Sequence, residues 1–166
     1  MGTGKTCVGK TLAARLHMLF VDMDDLIEQR RGKPITRIFA EEGEPFFRNL
    51  ERALVRELAS RDNLVIGAGG GIVLDPDNIR DFQETGLVIC LSADPETILA
   101  RVAGDATRPL LAGNDRPARI RAILQKRQPL YDAIPFRIDT AFLSVEEVAD
   151  RIARRYRQEA GNGSAA

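Results

Sequence analysis

Residues 1–11 read MGTGKTCVGKT and hold two Gly-Lys-Thr triplets, Gly4-Lys5-Thr6 and Gly9-Lys10-Thr11. A phosphate-binding loop has the form G-x-x-x-x-G-K-[ST]. Taken literally, only Gly4 to Thr11 completes it. That reading leaves Leu12 to His17 as a very short helix before the next strand, and makes Met1-Gly2-Thr3 the delivering strand. A loop centred on Lys5 instead leaves Thr6 to His17 as a helix of about three turns. Val8, Leu12 and Leu16 then fall four residues apart on one apolar face, and Lys10 becomes a surface residue. In this reading the loop's first glycine would precede Met1. The plainer alternative is a glycine-rich turn that caps a helix.

Outward from this stretch, short apolar runs alternate with longer helical segments. LFVD (Leu19 to Asp22) reads as a strand, followed by helical DDLIEQRR, ITRIFAEEG and EPFFRNLERALVRELASR. In the last of these, Phe47, Leu50, Leu54 and Leu58 recur at helical spacing and define a buried face. LVIGA (Leu64 to Ala68) is a strand that runs into Gly69-Gly70-Gly71. A helix is expected around Asn78 to Glu84, a strand over Leu87 to Ser92, and a helix from Pro95 to about Val102. Ala103 to Asp115 reads as a mobile loop, Ala118 to Arg127 as a helix, Phe136 to Asp139 as a strand, and Ser144 to Arg157 as a closing helix. The tail after about residue 158 is expected to be disordered. Strands alternating with helices imply an α/β fold with a mostly parallel sheet covered on both faces.

The bulk numbers suit one soluble domain. The chain has 166 residues, 44% hydrophobic and 29% charged, with 24 basic residues against 24 acidic ones. With no net field to attract nucleic acid or a membrane surface, an anionic ligand must be held by local groups. Two cysteines, Cys7 and Cys90, fit neither a disulfide framework nor a zinc site, which favours a reducing cytoplasm. No apolar run approaches the ~20 residues of a membrane span.

Several residues carry candidate chemistry. Asp22 and Asp24 stand two apart at the carboxyl end of a strand, where ligands collect in open parallel sheets. In extended geometry they point the same way, one able to orient magnesium waters and the other to accept from a substrate hydroxyl. Equally, Asp24 or Asp25 could cap the following helix. The triple glycine lets a backbone approach a ligand closely, or is a plain turn. Three arginines stand out from the rest: Arg48 beside Phe46 and Phe47, Arg108 in the loop RPLLAG, and Arg127 before QPLY. The guanidinium fork suits carboxylate and phosphate, although most arginines are surface ion-pair partners. His17 near a helix end reads as structural.

Taken in order, GTGKT, VDMDD, IFAEEGEPFFRNLE, GAGGGIVL, ATRPLLAG and QKRQPLY closely resemble the shikimate kinase family, from Met1 to about Ile152. The resemblance implies a three-layer α/β/α P-loop kinase fold with parallel strand order 2-3-1-4-5. It also implies transfer of the ATP γ-phosphoryl group to the 3-hydroxyl of shikimate. Carried over by position, Gly2, Thr3, Gly4, Lys5 and Thr6 would hold ATP, with Lys5 on the β- and γ-phosphates and Thr6 on Mg2+. Asp22 would reach Mg2+ through water. Asp24 would bind the substrate's hydroxyls and position, or accept the proton from, the attacking one. Arg48 and Arg127 would clamp the substrate carboxylate, Gly70 and Gly71 would give backbone contacts, and Arg108 would reach the phosphates.

The same resemblance implies a single kinase domain over 1–158, with substrate-binding helices at about 24–60, a lid at about 103–115 and a disordered tail at 159–166. A cytoplasmic monomer is expected, with neither nucleic acid nor membrane as partner. Two departures stand out. Ala141 and Phe142 occupy the place of the family's adenine-side arginine, and Phe142 could stack on adenine instead. The family's first strand, central in the sheet, has no counterpart here, so the expectation is an N-terminally shortened chain. The rival readings are a gluconate-kinase-like enzyme of the same fold and a non-catalytic relic that binds ligand without chemistry.

Overall fold

A computed structural model describes residues 2–102 and 116–163. The loop 103–115, with Arg108, lies outside the described residues. Seven helices and four strands alternate among the described residues: α1 (Lys5–Leu16), β1 (Leu19–Asp22), α2 (Met23–Arg31), α3 (Ile35–Ala59), β2 (Leu64–Gly67), α4 (Pro76–Thr85), β3 (Ile89–Ser92), α5 (Pro95–Val102), α6 (Arg116–Asp132), β4 (Phe136–Asp139) and α7 (Val145–Gly163). A short 3-10 turn, Ile72–Leu74, follows the triple glycine.

The strands form two separate parallel pairs, β1 with β2 and β3 with β4. They nevertheless belong to one layer, because the pleat sends alternate side chains of both pairs into the same two cores. Leu64 and Ile66 of β2 and Cys90 of β3 pack on a cluster built from Met23, Ile38, Phe47, Leu54, Val55 and Leu58. Val65 of β2 and Ile89 and Leu91 of β3 pack on the opposite cluster, which holds Val8, Leu12, Val148, Ala149 and Ile152. Only Val21 of β1 joins the first cluster, and only Ile138 of β4 joins the second. β2 and β3 touch both cores. Burying each large apolar side chain in these layers is worth about 1.5–3 kcal/mol.

The elements begin where local chemistry dictates. Gly4, left-handed at φ 84, caps α1 without a side-chain bond. Pro95 starts α5 as expected, with Asp94 Oδ1 accepting from the Thr97 N–H at 2.8 Å. α7 starts one residue later than expected, because Ser144 is its cap: Ser144 Oγ accepts from the Glu147 N–H, and the Glu147 carboxylate accepts from the Ser144 N–H. This reciprocal pair satisfies two helix-end donors.

Three expectations need correction. Neither Asp24 nor Asp25 caps α2; Asp22 does, accepting from the Asp24 N–H at 3.1 Å. The extended geometry stops at Asp22, so Asp24 stands in the first turn of a helix rather than one pleat further along a strand. Next, α6 runs to Asp132, so Arg127 is inside a helix rather than at its end. Pro129 removes one N–H, but the Ala133 N–H reaches the Pro129 carbonyl and Tyr131 anchors the last turn on Gly70. Finally, α7 continues to Gly163, past the helix end expected at Arg157. No proline interrupts it, and Arg155 pairs with Glu159 one turn on.

Candidate active site

The C-terminal ends of β1 and β2 meet the N-terminus of α1 in a cleft of about 130 Å3, lined by Gly4, Lys5, Thr6, Asp22, Asp24 and Gly67 among others. The first N–H groups of α1 have no partner within the helix, and the helix dipole adds positive potential there. An anion is the natural complement of such an end. Gly2 at φ 65 and Gly4 at φ 84 give the loop its left-handed turns. Its approach is fixed from the other half of the sheet. Arg101 Nη1 reaches the Gly2 carbonyl at 3.4 Å and Thr140 Oγ1 at 3.0 Å, while Nη2 donates to the Thr140 carbonyl at 2.8 Å. Thr140 Oγ1 lies within hydrogen-bond reach of both the Thr3 and Ser92 carbonyls. Thr3 is buried as a result.

Thr6 Oγ1 donates to Asp22 Oδ2 at 2.9 Å. This hydroxyl–carboxylate pair beside a helix N-terminus is an all-oxygen donor set. It suits magnesium, which takes one or two carboxylates and completes its shell with water and phosphate oxygens. Among the described residues no cluster of three or more His, Cys, Asp or Glu could hold a metal by protein groups alone. Lys10 is exposed on α1, as expected from a loop centred on Lys5. Gly9 of the second triplet is packed for a different reason. A Cβ there would fall 2.3 Å from Phe20 Cε2, so Gly9 lets β1 lie against α1.

Asp24 links this cleft to a second group of side chains. Its Oδ1 lies 3.0 Å from the point a Cβ on Gly69 would occupy, and Glu51 Oε1 lies 3.4 Å from the same point. Glu51 is 2% exposed and pairs with Arg48 Nη1. Arg48 Nε and Nη2 both donate to Glu44 Oε1, at 3.1 and 2.7 Å. A Cβ on Gly71 would meet the Arg48 guanidinium at 2.4–2.8 Å, so a side chain there would push the guanidinium aside. Arg48, Glu44 and Gly71 border a larger cavity of about 420 Å3, completed by Pro45, Leu74 and Asp75 among others.

Burial pushes the Glu51 carboxyl above its usual pKa, with Asp24 adding to the rise, against the pull of Arg48 and Arg127. Burial also raises the Tyr131 hydroxyl, opposed by hydrogen bonding and charge from Arg127. Tyr131 Oη donates to the Gly70 carbonyl at 2.7 Å and so ties α6 to the triple glycine. The charges of Arg127 and Arg48 both act on Glu51 and on Tyr131, opposing the rise that burial causes in each.

The expected residues Gly2, Thr3, Gly4, Lys5, Thr6, Asp22, Asp24, Arg48, Gly70, Gly71 and Arg127 thus collect at one end of the sheet. Arg108 lies outside the described residues. Sequence reasoning missed Glu51, Tyr131 and Glu44. Glu51 left a signal, an acid four residues after Phe47 on the apolar stripe of α3. Phe142 is 96% exposed, two residues beyond Thr140.

Comparison with known proteins agrees with this geometry. The shikimate kinase family model matches residues 1–157. A shikimate kinase of Pelotomaculum thermopropionicum is 45% identical over 152 residues, covering 92% of this chain and 88% of its own. One from Desulforudis audaxviator is 47% identical over 152 residues, covering 92% of this chain and 80% of its own. The structure of shikimate kinase from Acinetobacter baumannii in complex with shikimate superposes with a TM-score of 0.90 at 35% identity, covering 96% of this chain and 89% of that one.

Proposed function

The chain belongs to the shikimate kinase family and has its α/β P-loop kinase fold; on that premise we propose that it phosphorylates the 3-hydroxyl of shikimate from ATP, giving shikimate 3-phosphate and ADP for aromatic amino-acid biosynthesis. The observation that carries this reading is the position of Asp24, which borders the phosphate cleft on one side and the Glu51–Arg48 group on the other. A hydroxyl held at Asp24 stands between a bound γ-phosphate and a guanidinium able to fix a carboxylate.

In the proposed reaction the shikimate 3-oxygen attacks the γ-phosphorus as the bond to the β-phosphate oxygen breaks, and the hydroxyl proton passes to Asp24. Catalysis is then mainly positioning and charge neutralisation. The loop N–H groups and Lys5 hold the phosphates. Arg48 and Arg127 hold the carboxylate, Gly70 and Gly71 supply backbone contacts, and Arg108 in the lid 103–115 adds a cation to the γ-phosphate. Thr6 and Asp22, the latter through a water, would hold Mg2+, which would supply charge neutralisation at the phosphates. Phe142 offers a face for adenine. The kinase domain spans 1–158, with 24–60 contributing the substrate side.

The finer topology belongs to the same proposal. In the family's order 2-3-1-4-5, β1 and β2 take the places of strands 2 and 3 and β3 and β4 those of strands 4 and 5, so the central place lies between β2 and β3. None of the described residues fills it.

The test is shikimate-dependent ADP release, with gluconate as the control acceptor. Turnover with shikimate alone is expected, and none with shikimate refutes the reading. Asp24→Asn is expected to lower kcat by about 10²–10⁴, the usual worth of a general base, while nucleotide affinity stays within a few-fold. Equal loss of both contradicts the role given to Asp24.

A further inference from the structure

We propose that Glu44 is an internal competitor for the substrate's carboxylate: it holds the bidentate edge of Arg48 and must swing away before a carboxylate ligand can be clamped. The inference rests on the shikimate kinase reading and adds a residue that sets affinity at that site. A guanidinium grips a carboxylate through two parallel N–H groups, using either the Nε/Nη2 edge or the Nη1/Nη2 edge. In Arg48 the first edge converges on Glu44 Oε1, at 3.1 and 2.7 Å. The second edge includes Nη1, which Glu51 holds. Either way, an entering carboxylate meets a donor that is already engaged.

The two partners differ in how readily they can leave. The Glu51 side chain is 3% exposed and would become a buried, unpaired acid, whereas the Glu44 side chain is 44% exposed and can turn into solvent. Arg48 itself cannot retreat toward Gly71, whose backbone already lies against the guanidinium. Glu44 is therefore the group displaced, and Glu51 the anchor that keeps Arg48 in place as the exchange occurs.

The backbone fixes Glu44 where this competition can happen. Gly43 interrupts α3 at φ 83, ψ 168, a conformation open essentially to glycine alone. Pro45 follows in the first turn of the new segment, where its missing N–H is harmless. Glu44 thus starts the segment one turn before Arg48, and both border the 420 Å3 cavity.

Calorimetric titration of shikimate and of its methyl ester into the wild type and Glu44→Gln tests the proposal. The amide keeps the shape but not the charge. Because a partly exposed ion pair is worth about 0.3–1 kcal/mol, the variant is expected to bind shikimate about two- to five-fold more tightly. The ester, which lacks the carboxylate, should bind equally to both proteins. Glu44→Asp, one methylene shorter, should also tighten shikimate binding and guards against a folding defect peculiar to the amide. Unchanged or weaker shikimate binding in both variants, with melting temperatures intact, overturns the inference and makes Glu44 an orienting partner of Arg48. Equal tightening of the ester overturns it too, since the gain would not depend on the carboxylate. Absence of shikimate binding by the wild type refutes the functional reading, and this inference with it.

Discussion

Glu51 shows how one buried acid can organise a site while weakening the fold that carries it. Its carboxyl sits on the apolar stripe of α3, and burial raises its pKa above the usual 4.5 despite the Arg48 guanidinium. The unfolded chain has the lower value. Between the two values the native state therefore binds the extra proton, and the group favours folding at acid pH. That contribution is lost as pH rises through the raised value. Glu51→Gln removes the titration. The difference in melting temperature, wild type minus variant, should accordingly fall as pH rises from about 4 into the neutral range. A difference that is flat with pH would show that Glu51 titrates alike in both states. The charge at this stripe position is visible in the sequence, since an unpaired acid is rarely found on a buried helix face. The other acid on Arg48, Glu44, is not: whether an acid one turn before an arginine is a surface pair or a competitor depends on what lies beneath the guanidinium, and that is Gly71, 23 residues further along the chain.

Among the elements, α1 and β1 depend on one close approach. Glycine in a helix interior ordinarily costs about 1 kcal/mol relative to alanine, so Gly9 in the middle of α1 needs a reason. The Phe20 ring supplies it, lying 2.3 Å from the position of a Gly9 Cβ and 3.1 Å from that of a Gly67 Cβ. The ring is hemmed in on both sides and cannot turn away cheaply. Gly9→Ala should therefore destabilise the fold by about 1–3 kcal/mol, as overpacking does, instead of stabilising it. Urea unfolding measures this, and combining Gly9→Ala with Phe20→Leu should recover most of the loss. A stabilised single variant would mean that the ring yields freely. Helix spacing alone was enough to start α1 directly after Gly4 rather than after the second triplet. The reason for the second triplet was not legible, since Phe20 meets Gly9 only in three dimensions. Likewise the length of α6 is settled by the Tyr131–Gly70 hydrogen bond, a contact across 61 positions.

At the scale of the whole molecule, the α/β layering was legible because strand and helix periods alternate cleanly along the chain. The division of the sheet into two pairs is a different matter, since pairing is set by which strands lie side by side. In the proposed order β2 and β3 are the inner strands of one layer, yet among the described residues each hydrogen-bonds only to its outer neighbour. Their inner edges present backbone groups inside a layer that two apolar cores cover. Buried backbone groups are nearly always paired, and each hydrogen bond regained there is worth roughly 0.5–1.5 kcal/mol net. A parallel strand seated between them would also run out toward Gly2, where Arg101 and Thr140 already hold the loop. Joining an apolar segment of about five residues and a glycine-containing turn ahead of Met1 should therefore add several kcal/mol. For a domain of this size that is a rise in melting temperature on the order of 10 °C. Amide exchange gives the decisive reading. Val65 in β2 and Ile89 in β3 should become strongly protected with the apolar segment and not with a polar one of equal length. A rise in melting temperature without protection at these two strands would place the added segment elsewhere, and no change in either would refute the 2-3-1-4-5 order.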